Sequence, residues 1–116
     1  MNYVVTSEQK TIDGIVVYRI RGADGRPGGF LQSESNLSQS GTCWLHGDSA
    51  AFEDCTVCDD AQIYGLIRGN ARAMEAAEVF GQASGNVVIK GRAKIFGAVS
   101  GQHIIGGDTV VYGVLD

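Results

Sequence analysis

The residues of this 116-residue chain best suited to chemistry are three cysteines and two histidines, His46 and His103. Cys43-x-x-His46 followed by Cys55-x-x-Cys58 has the two-residue gaps that let paired ligands face one zinc ion tetrahedrally. The carboxylates Glu53, Asp54, Asp59 and Asp60 sit close in sequence and form a candidate acidic patch, either a solvated face or a docking surface for a basic partner. The many glycines make no phosphate loop, because none of them opens a helix.

Composition narrows the function classes. A net charge of −4 leaves no basic stripe for a phosphate backbone, despite the cluster Lys90, Arg92 and Lys94, so nucleic acid is not an expected partner. Residues 1–8 lack the basic and apolar regions of a secretory signal, and no apolar run is long enough to span a bilayer. With an odd number of cysteines, these features predict free thiols, a reducing compartment and a cytoplasmic protein without a membrane partner.

The elements that must position these residues follow from an internal repeat. From residue 53 onward the chain falls into rows of sixteen: 53–68, 69–84, 85–100 and 101–116. One column then reads Ile63, Val79, Ile95, Val111; the next reads Tyr64, Phe80, Phe96, Tyr112; the next reads Gly65, Gly81, Gly97, Gly113. Each row divides into sides of six, six and four residues. The six-residue phrase is Gly-polar-small-x-aliphatic-x, as in Gly91-Arg92-Ala93-Lys94-Ile95-Phe96, whose third and fifth positions point inward. A strand this short buries nothing alone, so stacked copies must share one continuous interior.

The prediction is an all-β, parallel β-helix of about five triangular coils over residues 41–116. Its first coil, from Gly41, has three six-residue sides. Residues 1–40 supply a cap and lead-in within the same compact domain, with a β-hairpin turning at Asp13-Gly14 and a loop from Gly22 to Gly29. Stacking also predicts pairs of Glu78 with Lys94 and Arg92 with Asp108, and an amide ladder of Asn70, Asn86 and Gln102.

The repeat bears directly on the candidate chemistry. Cys43 and Cys55 take inward third positions while His46 and Cys58 take outward sixth positions, so four zinc ligands would diverge; no metal or other cofactor is expected, and Cys58 is the one candidate for a reactive thiol. The outward column Tyr64, Phe80, Phe96 and Tyr112 is the candidate interface for another subunit or a partner, since a contiguous exposed apolar stripe usually marks one. The last row is completed at Asp116, and the expectation is that another subunit covers that end.

The repeat over 41–116 resembles that of bacterial hexapeptide-repeat proteins with the phrase Gly-Asn/Asp-Ala-x-Val-Tyr, often grouped with acyltransferases and frequent in phages and prophages. The lead-in adds to the resemblance: Tyr18-Arg19-Ile20, then Gly28-Gly29-Phe30-Leu31-Gln32-Ser33-Glu34, then Asn36-Leu37-Ser38 before Gly41-Thr42-Cys43-Trp44. It implies a left-handed β-helix, often trimeric, in a phage or prophage context, with no established activity. In acyltransferases of this fold a histidine at a subunit boundary is the general base, a role open here to His46 or His103. Such enzymes also need a protruding loop to grip the donor, and here the repeat consumes every residue after 41, so no catalytic residue is expected.

The expected function is a non-enzymatic protein-interaction module, a homodimer or homotrimer that also binds another protein in a bacterial host, as an inhibitor of a host or defence component. An acyltransferase-like enzyme and a structural spike or fibre module are the competing classes.

Overall fold

The computed structural model describes residues 2–116. It is a β-solenoid of about five turns in which parallel strands stack coil upon coil, with no α-helix among the described residues. Three sheets form its sides. The five-stranded sheet stacks Trp44–Leu45, Gln62–Ile63, Glu78–Val79, Lys94–Ile95 and Val110–Val111. The four-stranded sheet stacks Thr56–Val57, Arg72–Ala73, Asn86–Ile89 and Gln102–Ile105. The eight-stranded sheet runs from the N-terminal strands through Ala50–Ala51, Leu66–Ile67, Gln82–Ala83 and Ala98–Val99 to Val114–Leu115.

Register follows the sixteen-residue rows: Glu78 lies against Lys94 and Gln82 against Ala98. At the top, Trp44 lies against Gln62, eighteen positions on, so the stack starts wide and then narrows. Alternation along each side turns Ala61, Ile63, Ala77, Val79, Ala93 and Ile95 fully inward, where they join Ala71, Ala73, Val87, Ile89, Ile67 and Ala83 in one core. Small and branched side chains in alternate positions occupy the narrow triangle.

Two glycine columns have different causes. Gly69, Gly85 and Gly101 have φ of +67°, +74° and +83°, the left-handed region that favours glycine. Gly65, Gly81 and Gly97 are not left-handed, but a Cβ there would run into the backbone carbonyl of the glycine one coil on. That close approach cuts the corner and lets the side shrink to four residues.

Three acidic residues also take left-handed corners: Glu53, Asp59 and Glu75, with φ of 64°, 57° and 55°. A non-glycine residue in this region costs about 1–2 kcal/mol. Each compensates through its carboxylate, which accepts a backbone N–H from the next coil: Gly69 for Glu53 (3.1 Å), Glu75 for Asp59 (3.0 Å) and Gly91 for Glu75 (3.2 Å). Hydrogen bonds with an ionised acceptor are stronger than neutral ones.

At the N-terminal end β1 (Tyr3–Ile12) and β2 (Ile15–Gly22) form the hairpin that Asp13-Gly14 predicts. The expected loop from Gly22 to Gly29 is shorter than predicted. Its second half enters β3 (Pro27–Leu31), which pairs antiparallel with β2 and parallel with Ala50–Ala51. Pro27 is tolerated because it opens the strand. The cap is thus a continuation of the eight-stranded sheet, and its Tyr3, Ile20 and Leu31 are buried in the same core as the coils. Its other face buries Val17 and Phe30 against Ala50 and Phe52.

Charged side chains fasten this second cluster. Arg19 lies over Phe30 and pairs with Glu8 (2.7 Å) and Asp48 (3.0 Å); Arg68 lies over Phe52 and pairs with Asp13 (2.5 Å) and Glu53 (2.9 Å). The lead-in Asn36-Leu37-Ser38 also acquires a role. Buried Asn36 accepts from the Gln32 and Ser33 amides and donates to the carbonyls of Glu53 and Cys55, while Leu37 bridges to Val57.

Of the expected ladders, Glu78–Lys94 (3.5 Å) and Arg92–Asp108 (2.8 Å) form. Asn70 donates to Asn86 (3.2 Å), but among the described residues the chain of side-chain amide bonds does not extend to Gln102.

Candidate functional site: an aromatic ladder

The sixth position of each repeat on the five-stranded side points outward at a corner, and stacking places those side chains one above another. Tyr64, Phe80, Phe96 and Tyr112 form a continuous column of parallel rings, with centroids 4.6, 4.8 and 5.3 Å apart and planes within 8° of each other. The column begins one coil earlier than expected. His46 stacks on Tyr64 at 4.3 Å and 7°, making a ladder of five rings. His46 fills the same sixth-position slot, but eighteen residues rather than sixteen separate it from Tyr64, so a fixed row length hides the alignment.

Parallel stacking decides what the ladder can bind. Ring faces are engaged with one another, so the surface presents ring edges, whose hydrogens carry the positive end of the aromatic quadrupole. A sugar or a nucleobase needs an open face, and within the ladder the faces of Tyr64, Phe80 and Phe96 are covered on both sides. Tyr64, Phe80 and Phe96 are nevertheless 36–44% exposed, and Tyr112 is 78% exposed. The result is a rigid apolar ridge. Beside it run the outward side chains of Gln62, Glu78, Lys94 and Val110.

The two histidines sit in unlike places. His46 Nε2 lies 2.5 Å from Gln62 Oε1, an acceptor, so that nitrogen donates; the same Gln62 amide donates to the carbonyls of Thr42 (2.8 Å) and Asp60 (3.1 Å). His46 is thereby fixed as part of the ladder. His103 takes the inward slot of Ala71 and Val87, half-buried in the last coil, with its Nε2 buried and without a hydrogen-bond partner among the described residues. The two rings are in different sheets and share no site.

The zinc spacing resolves into separate directions. Cys43 and Cys55 are buried in the core, whereas His46 is stacked outside. Burial pushes the Cys43 thiol up to about 11 and the Cys55 thiol up to about 12. Cys58, expected to be exposed, is half-buried, and burial followed by neighbouring Asp59 raises its pKa too, which makes it a poor nucleophile.

The acidic residues divide between two corners. Glu53 and Asp54 precede the Thr56–Val57 strand and Asp59 and Asp60 follow it, so one side of the triangle, roughly 20 Å of extended chain, separates the pairs. Glu53 is held by Arg68, which is the main cause of its lowered pKa, and Asp60 accepts a hydrogen bond from the Thr42 hydroxyl (2.7 Å). No single patch combines the four. A shallow cleft under the cap, lined by Asn2, Asp24, Arg26 and Trp44, is partly filled by the Arg26 guanidinium lying 4.0 Å over the Trp44 ring.

No described helix is long and apolar enough to cross a membrane. A scan against models of known protein families gives no match, and a search of curated proteins finds no similar sequence.

Proposed function

We propose that this protein is a non-enzymatic interaction module that uses the ridge His46, Tyr64, Phe80, Phe96 and Tyr112 as its contact surface, first toward another copy of itself and, in a complex, toward another protein. The observation that carries this reading is the five-ring ladder. It is an exposed apolar stripe on a rigid scaffold, and such stripes mark protein contacts. Placing His46 within the ladder, with its Nε2 donating to Gln62, weighs against a general-base role for it.

The resemblance of the repeat and lead-in to phage-associated hexapeptide-repeat proteins supports a left-handed coil, a phage or prophage origin and action in the bacterial cytoplasm. In that setting the module inhibits a host or defence component by covering part of its surface.

The test is light scattering on the 12.2 kDa chain and on Phe80→Glu/Phe96→Glu. The expected result is an oligomer that becomes monomeric in the variant while far-UV circular dichroism is unchanged. An oligomer of the same mass in both proteins would remove the ridge from the contact surface.

A further inference from the structure

We infer that the ridge pairs with a second copy of this chain about a two-fold axis crossing the ladder between Phe80 and Phe96, so that the two ladders run antiparallel. This rests on the interaction role proposed above and adds the identity and the register of the occupant. The charge order beside the ladder carries it.

Descending the coils, the flanking column reads Gln62, Glu78, Lys94 and Val110: polar, negative, positive, apolar. A two-fold axis lying in the contact plane and perpendicular to the solenoid exchanges coil levels but keeps each column on its own flank. Glu78 then faces the partner's Lys94, and Lys94 faces the partner's Glu78. Within one chain Lys94 and Glu78 are already 3.5 Å apart, so the four side chains form an alternating square without a like-charge contact. Tyr64 falls opposite the partner's Tyr112, and the phenylalanines meet at the centre.

A two-fold axis parallel to the solenoid would instead carry the column to the opposite flank. There each charged pair would face the glycine corner of the partner ladder, where Gly65, Gly81 and Gly97 offer no charge. Complementarity selects the antiparallel arrangement.

Size sets the expected strength. A ridge at one corner is narrower than the roughly 20 Å side next to it, so over a height of roughly 19 Å it buries less than about 400 Å² on each copy, at the small end of weak, reversible interfaces. The dimer is therefore one that dissociates on dilution.

The experiment is sedimentation equilibrium over a dilution series of the wild type, Glu78→Lys, Lys94→Glu and an equimolar mixture of the two variants, with circular dichroism to confirm folding. The wild type is expected to show a monomer–dimer equilibrium. Each single reversal gives the column one sign of charge and weakens the dimer at least tenfold. The mixture recovers dimer, because the all-positive column of one variant faces the all-negative column of the other. A monomeric wild type, single variants that dimerise like the wild type, or a mixture that fails to recover would each overturn the inference. If Phe80→Glu/Phe96→Glu dissolves the dimer while the charge reversals do not, the ridge remains a contact surface and this pairing is refuted. If neither set changes the mass of an oligomer, both proposals fall.

Discussion

The top and the body of the solenoid are built on different rules. From Gln62 downward each coil repeats its predecessor at sixteen residues, and stability comes from many equivalent small contacts such as Ala77, Ala93, Val79 and Ile95. Above that level offsets vary, with Trp44 over Gln62 at eighteen positions and Phe30 beside Ala50 at twenty, and large or polar residues used once each hold the chain: Tyr3, Asn36, Trp44, Phe52 and Arg19, with Arg68 reaching up from the coil below. A repeat supplies its own template, because each strand is shaped by the one before it. A chain end has no preceding strand, so individual side chains must do the same work.

The sharpest way to break this contrast is within the glycines. Gly81→Ala in the body would drive a Cβ into the carbonyl of Gly97, where the backbone has no freedom to move; we expect a loss of about 3 kcal/mol or more in chemical denaturation. Gly47→Ala in the first coil has left-handed φ but open space around it, and should cost only about 1 kcal/mol in the same assay. Equal losses would mean that the close approach of Gly81 to the next coil adds nothing beyond what a left-handed φ costs at Gly47.

Asn36→Ala removes buried partners from two amides and two carbonyls at the top, and should cost about 2 kcal/mol, read as a lowered melting temperature. The exposed amide Asn70→Ala in the body should change it by less than about 0.5 kcal/mol. A large effect of Asn70 would make the amide ladder more than a surface feature.

Removing the Asp13–Arg68 tie by Asp13→Asn should cost at most about 1 kcal/mol, and added salt should erase the difference. An effect that survives 1 M salt would point to the turn rather than the ion pair.

The smallest effect concerns pH. Arg68 lowers the Glu53 pKa, so the folded state binds a proton there less readily than the unfolded chain does. Its contribution is complete above the ordinary carboxylate pKa of about 4.3 and is lost as pH falls through the lower folded value. Glu53→Gln should therefore flatten the acid limb of a stability–pH profile by a small amount. An unchanged limb would show that this pair adds nothing.

Much of the body was legible in the residues because columns such as Ile63, Val79 and Ile95 must point one way if strands stack in register. The ladder pairs of charge followed from the same rule. The top was less legible. Pairing of Pro27–Leu31 depends on Tyr18 and Ala50 lying on either side of it, a contact that no local pattern encodes. His46 was missed as a ladder member because the first coil is two residues longer. The acidic group looked continuous because six residues are close in sequence, yet those six residues are one whole side of the triangle. Whether the ladder binds anything depends on exposed edges, which stacking constrains far less than the interior.

The acidic corners carry one more consequence. Glu53, Asp59 and Glu75 each belong to an earlier coil, and each grips an amide of a later one. The direction is the same at all three corners, so an earlier turn always supplies the acceptor and a later one the amide, and loss of a later turn would leave intact but unpaired carboxylates on the turn before it.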